Sequence, residues 1–86
     1  MYETINQACR DGDVELVESL IEEGFDVTSN DNYPVQLASL HGNLEIIKLL
    51  IEHGADVTCN ENRALIWASE NGQYDVVTYL MDVCDL

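Results

Sequence analysis

The feature that most constrains this chain is a period of thirty residues. Ala8, Ala38 and Ala68 stand thirty apart, as do Gly12, Gly42 and Gly72. Gly24 and Gly54, Asp26 and Asp56, and Thr28 and Thr58 repeat in the same register. Apolar columns follow: Val14, Leu44 and Tyr74; Leu16, Ile46 and Val76; Val17, Ile47 and Val77; Leu20, Leu50 and Leu80; Ile21, Ile51 and Met81. A spacing held at so many columns makes each unit one supersecondary module that buries its apolar face only by stacking on copies of itself.

The stretch Asn30–Cys59 shows what a unit is. Leu44, Ile47, Leu50 and Ile51 make one apolar stripe, and Glu45, Lys48 and Glu52 take the other face, so a helix is predicted over Leu44–Glu52. Asn43, with Asp13 and Gln73 in the same column, is placed to cap it. Glu45, Glu15 and Asp75 complement the positive end of the helix dipole. Gly54 suits a left-handed helix end. A shorter first helix runs from about Pro34, a good first helical residue, to Leu40, and Gly42 turns the chain back. Alanine at 8, 38 and 68 lets adjacent first helices approach closely.

The run Pro34-Val35-Gln36-Leu37-Ala38, then Gly42-Asn43-Leu44-Glu45-Ile46-Ile47-Lys48-Leu49-Leu50, then His53-Gly54-Ala55-Asp56-Val57, resembles an ankyrin repeat. The resemblance covers residues 1–86 as a single domain with repeats at about 1–29, 30–59 and 60–86. It implies an all-α solenoid of three stacked helix-turn-helix units. The period is thirty where the family consensus is thirty-three, so the connecting loops are short and the projecting hairpin finger is cut back. This shortened form resembles the ankyrin arrays of giant DNA viruses of amoebae. Two family positions depart: the threonine that opens helix one is Glu3, Tyr33 and Arg63, and the histidine is Asn6, Gln36 and Ile66. Looser loops are expected from this, and Cys84 in place of the helix-ending glycine predicts a frayed or terminal last helix.

Composition excludes several functions. The 86 residues carry 17 acidic and 3 basic side chains, a net charge of −14, which argues against nucleic acid and anionic membranes and favours a protein partner with a basic surface. Three cysteines, Cys9, Cys59 and Cys84, are odd in number and widely spaced, so free thiols in a reducing, intracellular setting are expected, cytoplasmic by default. No signal core or membrane span is apparent.

Little points to chemistry. His41 and His53 each precede a helix-end glycine and read as surface turns; no Cys/His pair has zinc spacing. Asp11-Gly12-Asp13 does not fit a calcium loop. Cys9 near His41 is the one conceivable nucleophile and base, with Asp11 nearby in sequence as an orienting residue, and the absence of a clearly convergent set argues against it. Trp67 shares the column of Leu37 and reads as core. No enzyme, metal or cofactor is expected. The resemblance instead implies a concave face of loops and helix-one ends, carried here by Asp11, Asp31, Tyr33, Leu40, His41, Glu61, Arg63, Glu70 and Asn71, with Tyr33 and Leu40 as apolar anchors. The alternative is a self-associating unit. The first unit's polar helix suits a cap, whereas the last ends in Tyr79, Leu80, Met81, Val83 and Leu86, an apolar face for a homodimer.

Overall fold

The structure is a computed structural model that describes the backbone of residues 2–84 and the side chains of 4–58 and 62–83. It holds six helices: α1 (Tyr2–Asp11), α2 (Val14–Glu22), α3 (Ser29–Leu40), α4 (Leu44–Glu52), α5 (Cys59–Glu70) and α6 (Tyr74–Cys84). They pair as three helix-turn-helix units, α1–α2, α3–α4 and α5–α6, with no strand among the described residues. The first helices stack as a row, α1 on α3 on α5, and α2 packs on α4 behind them. The expected all-α solenoid is therefore present.

One hydrogen-bond motif explains both repeating glycines. The N–H of Asp13, Asn43 and Gln73 bonds back to the carbonyl of Ala8, Ala38 and Ala68 at 3.0, 2.9 and 2.9 Å. Such a bond needs a left-handed residue just before the donor, and Gly12, Gly42 and Gly72 supply it with φ of 79°, 73° and 69°. α2 and α4 end the same way, with Phe25 N–H on Leu20 and Ala55 N–H on Leu50.

The linkers differ from expectation in detail. No finger projects. Asn30, Asp31 and Asn32 instead make a left-handed turn, with φ of 56°, 56° and 61°, before right-handed helix begins next to Pro34. Left-handed backbone costs most residues about 1–2 kcal/mol each, and asparagine and aspartate least. Asn62, thirty residues on, repeats it at φ 65°. The loops are also better tied than the missing threonine and histidine suggest. Gln36, buried, donates from Nε2 to the Asp31 carbonyl at 2.8 Å, standing in for the family's histidine. The buried Asn32 side chain accepts from Asp56 N–H at 2.9 Å, linking one linker to the next. Asp26 and Asp56 each accept from the hydroxyl and the N–H of the threonine two residues on. These bonds, the Thr28 and Thr58 hydroxyls foremost, hold both carboxyls below the ordinary aspartate value. A depressed carboxyl contributes stability above its unfolded pKa and loses it as pH falls through the folded one. A carboxyl-detected titration should therefore give Asp26 and Asp56 midpoints below those of free aspartate, and Thr28→Val or Thr58→Val should raise the matching one. Unmoved midpoints would leave these bonds without effect on the linkers.

The core is drawn from every unit: Ile5, Val17, Val35, Ile46, Ile47, Leu50, Val76 and Leu80 are fully or nearly fully buried. The α4 stripe is shifted from the expected one. Ile46, Ile47 and Leu50 are its buried centre, and Leu44 and Ile51 lie half-buried at its margins. α4 packs on its own first helix α3 and on α2 at once, so its buried arc is set by two neighbours and not by a single face.

The Asp13/Asn43/Gln73 column holds a second correction. Asp13 caps α2 as expected, accepting from Leu16 N–H at 3.1 Å. Asn43 makes no side-chain cap to α4. Its Nδ2 reaches back to the carbonyls of Cys9 and Arg10, the latter at 3.3 Å. Gln73 Nε2 likewise donates to the Leu40 carbonyl at 3.2 Å. A carboxylate can only accept, whereas an amide donates as well, so the amides in this column join each unit to the first helix of the unit before.

Candidate functional site

The helix-one row and its linkers form the face on which the candidate binding residues lie. At the linker end, Tyr33 of α3 meets Trp67 of α5 edge-on, with ring centroids 6.2 Å apart and planes at 89°. The Arg63 guanidinium stands 5.7 Å from the Trp67 ring centre. Both geometries are favourable, edge-to-face for the rings and cation over face for the arginine. Tyr33 and Trp67 are half-buried and Arg63 is exposed. The cluster is thus pinned at its base by the stack and open at its rim.

Trp67 is a candidate residue of this face that the sequence pattern does not reveal. The expectation of a core position rests on its sharing the column of Leu37, which is buried, whereas Gln7 in the same column is exposed. The indole is half-buried, against Tyr33 on the neighbouring α3 and Arg63 one turn before it on α5. Tyr33 in turn is no free-standing anchor, because one of its edges is used by Trp67.

The predicted residues do not form one patch. Asp31, Tyr33 and Arg63 belong to the linker end, while Leu40, His41, Glu70, Asn71 and Asp11 belong to the turn end, separated by about 10 Å of helix. Leu40 is half-buried; Asp11, Asp31, His41, Glu70 and Asn71 are exposed. Arg10 pairs with Asp11 at 3.4 Å, both about half exposed, a pairing of little energetic worth. Asn71 Nδ2 donates to the Trp67 carbonyl at 2.9 Å, which anchors the turn below the indole. The Glu61 side chain lies outside the described residues.

Other expectations are settled by burial. Cys9 is fully buried, and burial pushes its thiol up to about 12, so it stays protonated and unreactive. Leu80, expected at an apolar dimer face, is fully buried in the core, because α6 turns that column inward as α2 and α4 do. Tyr79 is half-buried with the Lys48 ammonium 5.4 Å from its ring centre. Met81 and Val83 remain exposed, and Leu86 lies outside the described residues. Among the described residues no group of three or more His, Cys, Asp or Glu could hold a metal ion. No helix there is long and apolar enough to cross a membrane.

Three stacked helix-turn-helix units with an open face of first helices and linkers define a helical repeat scaffold of the kind that binds other proteins. A family model for ankyrin repeats, in three copies, matches residues 5–86, and the chain belongs to the ankyrin repeat family. A search of curated proteins returned no match.

Proposed function

We propose that the chain is a non-catalytic protein–protein interaction module that binds a protein partner through its concave face, centred on Tyr33, Trp67 and Arg63. The single observation that carries this is the cluster itself. Two aromatic rings and a guanidinium, residue types that dominate binding hot spots, sit together on a face whose backbone is held by the stack. Asp31 nearby and Glu70 toward the other end, with the chain's net charge of −14, favour a partner with a basic surface.

The test is Trp67→Ala combined with Arg63→Ala, both on the open face. Partner captured by the parent chain should fall by about thirtyfold or more, the scale of a hot-spot loss, with the helical circular dichroism unchanged. The pair Tyr33→Ala and Leu40→Ala should act in the same direction. Retained capture by both variants would move the site off this face.

A second reading, self-association through the last unit, is favoured by the exposure of Ile66, Met81 and Val83, at 47%, 42% and 41%. A monomeric mass at high concentration would remove it. The thirty-residue period supports an origin among the ankyrin arrays of giant DNA viruses of amoebae, and with it the host cytoplasm as the place of action.

A further inference from the structure

All the large hydrophobic side chains that stand exposed among the described residues, Ile66, Tyr74, Met81 and Val83, belong to the third unit. On the second-helix side of that unit, away from the concave face, a hollow of about 720 Å³ opens between α4 and α6. Leu44, Tyr79 and Met81 supply its apolar lining, and Asp75, Thr78 and Asp82 its polar one. The hollow one unit earlier, between α2 and α4, is about 290 Å³ and lined by Glu18, Glu22 and Glu52 around Ile21 and Leu49. The two are alike in having acidic groups beside apolar ones, but the later one is more than twice as large, and the earlier one also has His53 in its lining.

We propose that the α4–α6 hollow docks a basic amphipathic helix of a partner protein. Asp75 and Asp82 lie seven residues apart on α6, two turns or about 10 Å, and both are exposed. Cations at i and i+7 of a partner helix lying along α6 match that spacing. The apolar stripe of the same helix then covers Leu44, Tyr79 and Met81, the helix-in-groove mode of recognition. The Lys48 ammonium already lies over the Tyr79 ring, so the partner's cations pair with Asp75 and Asp82 and not with that ring. Charge selects this occupant over the alternatives. A second copy brings its own net charge of −14, and nucleic acid or an anionic membrane is repelled likewise.

The probe is a helical peptide of about 18 residues built from leucine and lysine, leucines on one face, titrated into the isotope-labelled chain with a scrambled peptide of equal composition beside it. Amide shifts should concentrate on Leu44 and on residues 75–82, with weaker and unlocalised shifts from the scramble. Asp75→Lys with Asp82→Lys should weaken binding about tenfold or more, and Glu18→Lys with Glu22→Lys, the same charge change at the smaller hollow, about threefold or less. The milder Asp75→Asn with Asp82→Asn guards against loss of fold and should still weaken binding more than the Glu18/Glu22 pair. Met81→Ser, which leaves charge unchanged, should also weaken it. Equal losses from both reversals with no effect of Met81→Ser would mean diffuse attraction and overturn the proposal. So would shifts centred on Tyr33 and Trp67, or a dimer in sedimentation that Met81→Ser dissolves.

Discussion

Leu50→Ala is expected to lower stability by about 2–5 kcal/mol, the cost of a large-to-small change at a buried site that cannot collapse. Leu50 has no exposed surface, and it sits in α4 of the middle unit, which packs on α3 of its own unit and on α2 of the unit before. Its carbonyl also receives the Ala55 N–H that ends α4, so the side chain and the helix end share one support. A domain of this size holds roughly 4–13 kcal/mol in total, so the loss is a large fraction of it. Thermal melting followed by circular dichroism should drop by about 10 °C or more. Leu49→Ala on the same helix is the control: half-buried at the α2–α4 hollow, it should cost clearly less. Equal melting of the two variants would place the wrong face of α4 in the core.

The second large effect is an asymmetry between Asn43→Asp and Asp13→Asn. The first removes the donor that ties α4 to the Cys9 and Arg10 carbonyls and sets a carboxylate against the negative end of α1. Leaving the partly buried Cys9 carbonyl without this donor beside a like-signed group should cost about 1–3 kcal/mol. The reverse change at Asp13 should cost only about a few tenths, because asparagine caps a helix nearly as well. Chemical denaturation of the two variants measures the contrast directly. If both cost the same, the amide is not a joint between units and the column is only a cap. The neighbouring Gly42 belongs to the same joint. A side chain there would run into the Gln73 carboxamide, as well as requiring a left-handed φ of 73°.

The periodic features were legible because they are local. Gly42, Ala38 and the Leu44–Glu52 pattern each encode one hydrogen-bonded turn or one helical face, which neighbouring residues alone determine. The candidate binding face is legible only as a face. The family resemblance points to Tyr33 and Arg63, but the residue beside both, Trp67, reads as core because it shares the column of Leu37. Whether a ring sinks or stands between neighbours depends on the width of the gap between α3 and α5, and no local pattern encodes that width. Asn43 failed for the same reason. Its side chain can serve a helix ahead of it or carbonyls behind it, and the choice rests on a partner thirty-four residues away.

The thirty-residue period by itself determined the number of units, their helices, their turns and the absence of a long finger, since each of these follows from backbone preferences repeated in register. The tertiary stack decided what the period could not: that α6 turns Leu80 inward, that Trp67 stays at the surface between Tyr33 and Arg63, and that α4 and α6 leave the wider hollow. These are properties of contact between units, where burial depends on which surfaces meet, and identical columns end in different environments because their neighbours differ.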